Sequence, residues 1–119
     1  MNTLRNNVQL IGNVGQDPIT ATLDSGKIVT RLSLATNERY KDSEGEPQTT
    51  THWHNLVAWG KTASVIEKYV SKGQEIAVSG KLTSRSYQDN EGDIRTITEV
   101  IVREVLFFTH KNGDEKTPY

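Results

Sequence analysis

Only one segment of this chain, Lys61 to Ser71, spaces its apolar residues as a helix does. Ala63, Ile66 and Val70, with Thr62, Val65 and Tyr69 beside them, recur at intervals of three and four. Gly73 closes the segment, because glycine enters the left-handed region without a Cβ penalty. The other apolar runs have a period of two. Asn7–Asn13 carries Val8 and Leu10 and ends among Gly12 and Gly15. Ile19–Asp24 and Lys27–Thr36 flank Ser25-Gly26, a hairpin signature, and Ile28, Thr30, Leu32 and Leu34 share one parity. Thr51–Lys61 reads as a further strand, Glu75–Leu82 resumes the alternation, and Ile94–Phe108 supplies a last long strand or pair. One helix between the third and fourth strands predicts an all-β OB fold, a five-stranded Greek-key barrel. A sandwich would not need that helix.

The rest of the chain is polar. Asn37–Thr51, with Gly45 and Pro47, is expected to be a flexible loop whose early part carries Arg39, Tyr40 and Lys41. Gln88–Asp93 reads as a hairpin tip after Arg85-Ser86-Tyr87. Residues 1–108 are expected to form one domain, and 109–119 a short polar tail. At 119 residues the chain can close one barrel but not two cores. Leu, Ile, Val and Phe supply roughly a quarter of it, enough for a packed interior. The absence of cysteine removes disulfides and thiolate chemistry and fits a reducing compartment. The N-terminus lacks the apolar run of a signal peptide, and no stretch reaches the ~18 apolar residues of a membrane span. A cytoplasmic protein without a membrane partner is the expectation.

The strand Thr51–Lys61 carries the chemistry. Leu56 and Ala58 fall on one parity, and Trp53, Val57 and Trp59 on the other, so both tryptophans of the protein leave one side of one strand. They stand roughly 20 Å apart along it. Flat rings beside positive charge suit the stacking of unpaired bases and the holding of their phosphates. Four aromatics are candidates: Tyr40, Trp53, Trp59 and Tyr87. Cations flank them: Arg39, Lys41, Lys61 and Arg85. Lys72, Lys81, Arg95 and Arg103 are weaker candidates. The plain alternative makes the tryptophans core residues and the tyrosines ordinary surface ones. A formal net charge of −1 requires that a polyanion binder sort its charges. Many acids do fall in expected loops: Asp17, Asp24, Asp42, Glu44, Glu46, Asp89, Glu91 and Asp93.

Other motifs are weak. His52 and His54 point the same way on a strand, but no third metal ligand stands nearby, and no metal or other cofactor is expected. His54 shares its parity with Leu56, which suggests burial or a subunit contact. Gly12-x-x-Gly15 lacks the third glycine and the helix of a dinucleotide loop and reads as relief at a bend. No nucleophile elbow or catalytic triad order is present, so no enzyme is expected.

Five spaced motifs together resemble the bacterial single-stranded DNA-binding protein family. They are Val8-x-Leu10-Ile11-Gly12-Asn13-Val14-Gly15-Gln16-Asp17-Pro18, Leu34–Tyr40, Trp53-His54 with Trp59-Gly60-Lys61, Tyr69-x-x-Lys72-Gly73, and Gly80-Lys81-Leu82 with Arg85-x-Tyr87. The resemblance covers roughly residues 4–108. It implies an OB fold, a homotetramer, and sequence-independent binding of single-stranded DNA in replication, repair and recombination. It also implies that the aromatics at Tyr40, Trp53, Trp59 and Tyr87 stack bases. Lys61, Lys72, Arg85 and Arg95 would meet phosphates, and His54 would lie at a subunit contact. Tyr40 and Tyr87 stand where many relatives have tryptophan, and Asn55 and Thr83 where many have a basic residue. Relatives continue into a disordered tail with an acidic tip that recruits replication and repair enzymes, whereas this sequence stops at Lys116–Tyr119, so such recruitment is not expected. Two other readings remain: an OB-fold assembly subunit of a replication-restart complex with weak nucleic-acid binding, and a metal-dependent nuclease using His52 and His54.

Overall fold

The computed structural model describes residues 4–108. The expected tail, 109–119, and His110 within it lie outside the described residues. The strands are β1 (Val8–Val14), β2 (Ile19–Thr22), β3 (Ile28–Lys41), β4 (Pro47–Trp59), β5 (Glu75–Gln88) and β6 (Ile94–Phe107), with α1 (Gly60–Tyr69) between β4 and β5. They form one sheet in the order β1-β5-β6-β4-β3-β2, and β1 also pairs with β3. The ring β1-β5-β6-β4-β3 is therefore closed. β2 pairs with β3 alone, so the barrel has five strands, and the helix falls between its third and fourth. All pairs are antiparallel except β4 with β6, which meet in parallel at Asn55–Glu99, Leu56–Val100 and Val57–Ile101.

Closure depends on β1, whose end pairs on both edges. Val8 to Asn13 pair along β5, and Asn13 and Val14 pair on the other edge with Ala35 and Leu34 of β3. Gly12 lies against the Ala35 carbonyl, where a Cβ would collide with backbone. The barrel interior holds Leu34, Leu56 and Ile76, all essentially without solvent contact, and Val14, Val78, Val100 and Val102 around them. Helix α1 closes one end by burying Ala63 and Ile66. The Thr30 hydroxyl donates to the Ala63 carbonyl at 3.3 Å and also bonds the Thr20 hydroxyl at 2.8 Å, so no polar side-chain atom there is left without a partner. Past the helix, the Gly73 N–H donates to the Val14 carbonyl at 2.8 Å and the Val14 N–H to the Gln74 carbonyl at 2.9 Å.

The structure corrects the expected loop at Asn37–Thr51. β3 and β4 stay paired in register from Val29–Trp59 out to Lys41–Pro47, so this stretch is a two-stranded arm. Only Asp42–Glu46 turns. Polar residues carry no hydrophobic alternation, but β-branched Thr49, Thr50 and Thr51 favour extended backbone. β5 likewise continues past Leu82 to Gln88 and pairs with the whole of β6, making a second arm.

Both arms and the β2–β3 hairpin end in the same five-residue turn. The first residue's N–H donates to the fifth residue's carbonyl, and the glycine at position four donates back to the first (Leu23–Lys27, Asp42–Glu46, Asp89–Asp93). In the two arms the first residue is an aspartate. Asp42 Oδ1 accepts the N–H groups of Glu44 and Glu46, both at 2.9 Å, and Asp89 Oδ1 those of Glu91 and Asp93, also at 2.9 Å. The Glu46 N–H, with help from Glu44 and Gln48, holds the Asp42 carboxyl below the usual aspartate range. A depressed folded-state pKa means that this stabilisation is complete above the ordinary aspartate pKa and is lost as pH falls through the folded value. Asp42→Ala should therefore speed amide exchange at Glu44 and Glu46. Global stability should change little, because the turn is exposed and remote from the core. Amide exchange by NMR with a thermal melt checks both.

Candidate nucleic-acid interface

Register decides which side chains share the outside of the barrel. Residues paired across an antiparallel ladder leave on the same side. The outward set on β3 and β4 is Arg31, Ser33, Ala35, Asn37, Arg39 and Lys41 opposite Val57, Asn55, Trp53, Thr51, Thr49 and Pro47. The parallel pairs Asn55–Glu99 and Val57–Ile101 carry that side onto β6, and Thr83–Glu99, Arg85–Ile97 and Tyr87–Arg95 carry it onto β5. One continuous face thus spans four strands and both arms.

Three of the four expected stacking residues lie on this face and are open to solvent. Trp53 is 61% exposed, Trp59 40% and Tyr87 44%, which excludes a core role for either tryptophan. Trp59, opposite Val29, ends β4 where the helix begins. Val57, between the tryptophans, is buried, so the rings are separate platforms and not one stripe. Tyr40 pairs with Gln48 and has the opposite parity. The structure therefore does not bring it onto the tryptophan side; it stands on the other side of the β3–β4 arm, also exposed.

Trp53 owes its position to a missing side chain. Its six-membered ring lies against Gly15, where a Cβ would collide with that ring and stand 2.8 Å from the Ser33 hydroxyl. The second glycine of Gly12-x-x-Gly15 thus seats an aromatic ring, a use that spacing alone did not indicate.

The expected cations divide into three groups. Arg39 and Lys41 are outward on the β3–β4 arm and exposed. Lys61 is exposed in the first turn of α1, where it lines a shallow cleft of about 290 Å³ with Thr62, Val65, Arg103 and Val105. Lys72 follows the helix, and its N–H donates to Asp17 Oδ1 at 2.8 Å. Arg85 and Arg95 are on the face but already have acidic partners. Arg95 Nε donates to Asp89 Oδ2 at 2.9 Å, a bond that helps hold the Asp89 carboxyl below its ordinary range. Arg85 Nε donates to Glu99 Oε1 at 3.0 Å, and its guanidinium lies 5.9 Å from the centre of the Tyr87 ring.

Two residues that sequence reasoning missed sit at the centre of the face. Arg31 Nη1 donates to Glu99 Oε2 at 2.9 Å, so Glu99 is flanked by two guanidiniums. Only 6% of the Glu99 side chain is exposed, against 48% and 49% for Arg31 and Arg85. The three groups line a cleft of about 390 Å³ with Gln16, Asp17, Ser33 and Asn55, which is two residues along β4 from Trp53 and of the same parity. No local pattern marks this cluster, because Arg31 and Glu99 are 68 residues apart.

His52 and His54 lie on the inward parity. His54 pairs with Leu34, is half-buried, and its Nε2 bonds the Thr36 hydroxyl at 2.9 Å. Burial, and then the charge of His52, push its pKa below the ordinary histidine value. His52 Nε2 stands 3.6 Å from Glu38 Oε1. The single acidic cluster with metal-ligand spacing among the described residues is Asp89, Glu91 and Asp93 at the β5–β6 tip, and it includes neither histidine.

Residues 5–108 match the model of the single-strand binding protein family. The chain belongs to that family. It is 42% identical to single-stranded DNA-binding protein 1 of Chlorobaculum tepidum over 91% of this chain and 67% of the relative. It is 38% identical to the single-stranded DNA-binding protein of Rickettsia prowazekii over 94% of this chain and 78% of the relative. Among solved structures, a Plasmodium falciparum SSB complex with ssDNA superposes with a TM-score of 0.79 at 34% identity, over 86% of this chain and 93% of the other.

Within this member of the single-strand binding protein family, seating of Trp53 over Gly15 makes a direct prediction. In a Trp59→Phe background, where emission reports Trp53 alone, Gly15→Ala should shift the emission and raise acrylamide quenching. The crowding should also lower stability by about 1–3 kcal/mol. Unchanged emission and quenching would mean that the ring does not depend on the glycine.

Proposed function

We propose that this chain binds single-stranded DNA without sequence preference, stacking bases on exposed aromatics and holding phosphates with the cations around them. The observation that carries this reading is the outward face of β3, β4, β6 and β5, where Trp53, Trp59 and Tyr87 stand open to solvent among arginines. Exposing large flat rings on a monomer costs apolar contact with water, and stacking against bases of any sequence recovers it. Family membership and the single-stranded DNA bound in the similar solved structure support the same ligand. Coating exposed strands would serve replication, repair and recombination.

In this reading Trp53, Trp59 and Tyr87 form the main platform. Tyr40 stacks on the opposite side of the β3–β4 arm, so a strand would have to pass around the arm to use all four. Arg39, Lys41, Lys61 and Lys72 meet phosphates directly. Arg85 and Arg95 do so with the N–H groups that Glu99 and Asp89 leave free. Residues 1–108 make up the binding domain, and the chain acts as a binding protein and not as an enzyme. No helix among the described residues is long and apolar enough to cross a membrane.

We assign the chain a second partner, itself, in a homotetramer. Ile11 is 59% exposed on β1, and with Leu10, Ala77, Val105 and Leu106 it lines an apolar cleft along β1, β5 and β6. His54 is the proposed subunit contact near the root of the β3–β4 arm.

Trp53→Ala and Trp59→Ala should each weaken binding to oligo-dT by about 1–3 kcal/mol and leave the thermal melt in place. Equilibrium binding at fixed salt checks this. A folded double variant with native affinity would remove the stacking assignment, whereas micromolar or weaker binding by the native protein, with a tight protein partner, would favour an assembly subunit with weak nucleic-acid binding.

A further inference from the structure

Glu99 is an odd residue to find at the centre of a face that meets polyanions. Its parity is outward, its carboxylate is nearly sequestered from solvent, and it repels phosphate. A residue of that kind must act on its neighbours. Oε2 receives Arg31 Nη1 at 2.9 Å and Arg85 Nη2 at 3.4 Å, and Oε1 receives Arg85 Nε at 3.0 Å. The contacts join three strands: Arg31 on β3, Arg85 on β5, and Glu99 on β6. Without the carboxylate, two flexible guanidiniums would share one cleft, repel each other and sample many rotamers. With it, both are fixed before any ligand arrives, and each keeps donors for a phosphate: Nε and Nη2 on Arg31, Nη1 on Arg85. Arg85 in turn lies over the Tyr87 ring, so its position is passed to a stacking surface.

We propose that Glu99 is a positioning residue for DNA binding, sacrificing one positive charge on the face to hold Arg31 and Arg85, and through Arg85 the Tyr87 ring, in place. This rests on the reading of the face as a single-stranded DNA interface. Charge and order have opposite effects on affinity, and salt separates them. The cluster carries one net positive charge with Glu99 and two without it. The slope of log affinity against log salt counts net cations neutralised, at about 0.7 per charge for single strands. The ordering contribution does not depend on salt.

The test is titration of oligo-dT into the native protein, Glu99→Gln, and the double variant Arg31→Gln/Glu99→Gln, from low salt to high, with thermal melts as folding controls. Glu99→Gln should steepen the slope by about 0.7 and, extrapolated to 1 M salt, bind about tenfold more weakly. The half-exposed arginines can hydrate, which keeps the cost to folding small. The double variant has the native net charge and no unpaired carboxylate, so native affinity in it would overturn the proposal even if Glu99→Gln fails to fold. It should keep the native slope and bind about tenfold more weakly at every salt. Native affinity in the double variant, or an unchanged slope in a folded Glu99→Gln, would overturn the positioning role. Failure of the native protein itself to bind oligo-dT would instead remove the interface reading, and this one with it.

Discussion

The pairing of β1 with β5 on one edge and β3 on the other closes the sheet, and closure gives every strand an inside and an outside. Inside, space allows only what packs: Leu34, Leu56, Ile76 and the valines around them. Outside, nothing needs to be apolar, so large rings there need another explanation. The alternating period of a strand turns this division into chemistry. Leu56 and Ala58 fill the barrel, while Trp53 and Trp59 leave it on the other side. Gly12 lets β1 lie against the Ala35 carbonyl of β3, and three residues later Gly15 leaves the space in which the Trp53 ring sits. Barrel closure and the placement of the exposed Trp53 ring thus depend on the same short stretch.

The near-neutral charge of the chain is reconciled by where the acids sit. Asp42, Glu44 and Glu46 occupy one arm tip, Asp89, Glu91 and Asp93 the other, and Asp24 the β2–β3 turn. There Asp42 and Asp89 accept backbone N–H groups and fix the two arm turns. The sorting is incomplete, because Asp89 holds Arg95 and Glu99 holds Arg31 and Arg85. Single-strand recognition tolerates this, since stacking carries much of the affinity and the cations need to be well placed more than numerous. The hydrogen bonds and charge of Glu99 raise the pKa of Arg85 above its ordinary value, so that guanidinium keeps its charge at any working pH.

Local pattern revealed the barrel, its helix and the shared parity of Trp53 and Trp59, because each depends on residues within one element. It failed on the arm. Asn37–Thr51 has too few apolar residues to alternate, and its strands form because Asp42 and Gly45 make a tight turn and β-branched threonines accept extended backbone. Parity counted along β3 could have set Tyr40 apart from the tryptophans, but only once the arm was known to be paired. Glu99 was hidden differently. It sits in the run Thr98-Glu99-Val100-Ile101-Val102, where a lone acid looks like an ordinary solvent-facing strand residue. Its partners come from β3 and β5, and only the closed sheet brings them together.

In the proposed binding mode, bases stack on the tryptophans of the outward face. Intrinsic tryptophan fluorescence during titration with oligo-dT, at low and at high salt, tests it most directly. Stacking should give strong quenching that saturates at a fixed number of nucleotides per protein and persists in high salt, since stacking is far less salt-dependent than phosphate contact. Binding detected by another signal, with tryptophan emission unchanged, would contradict it.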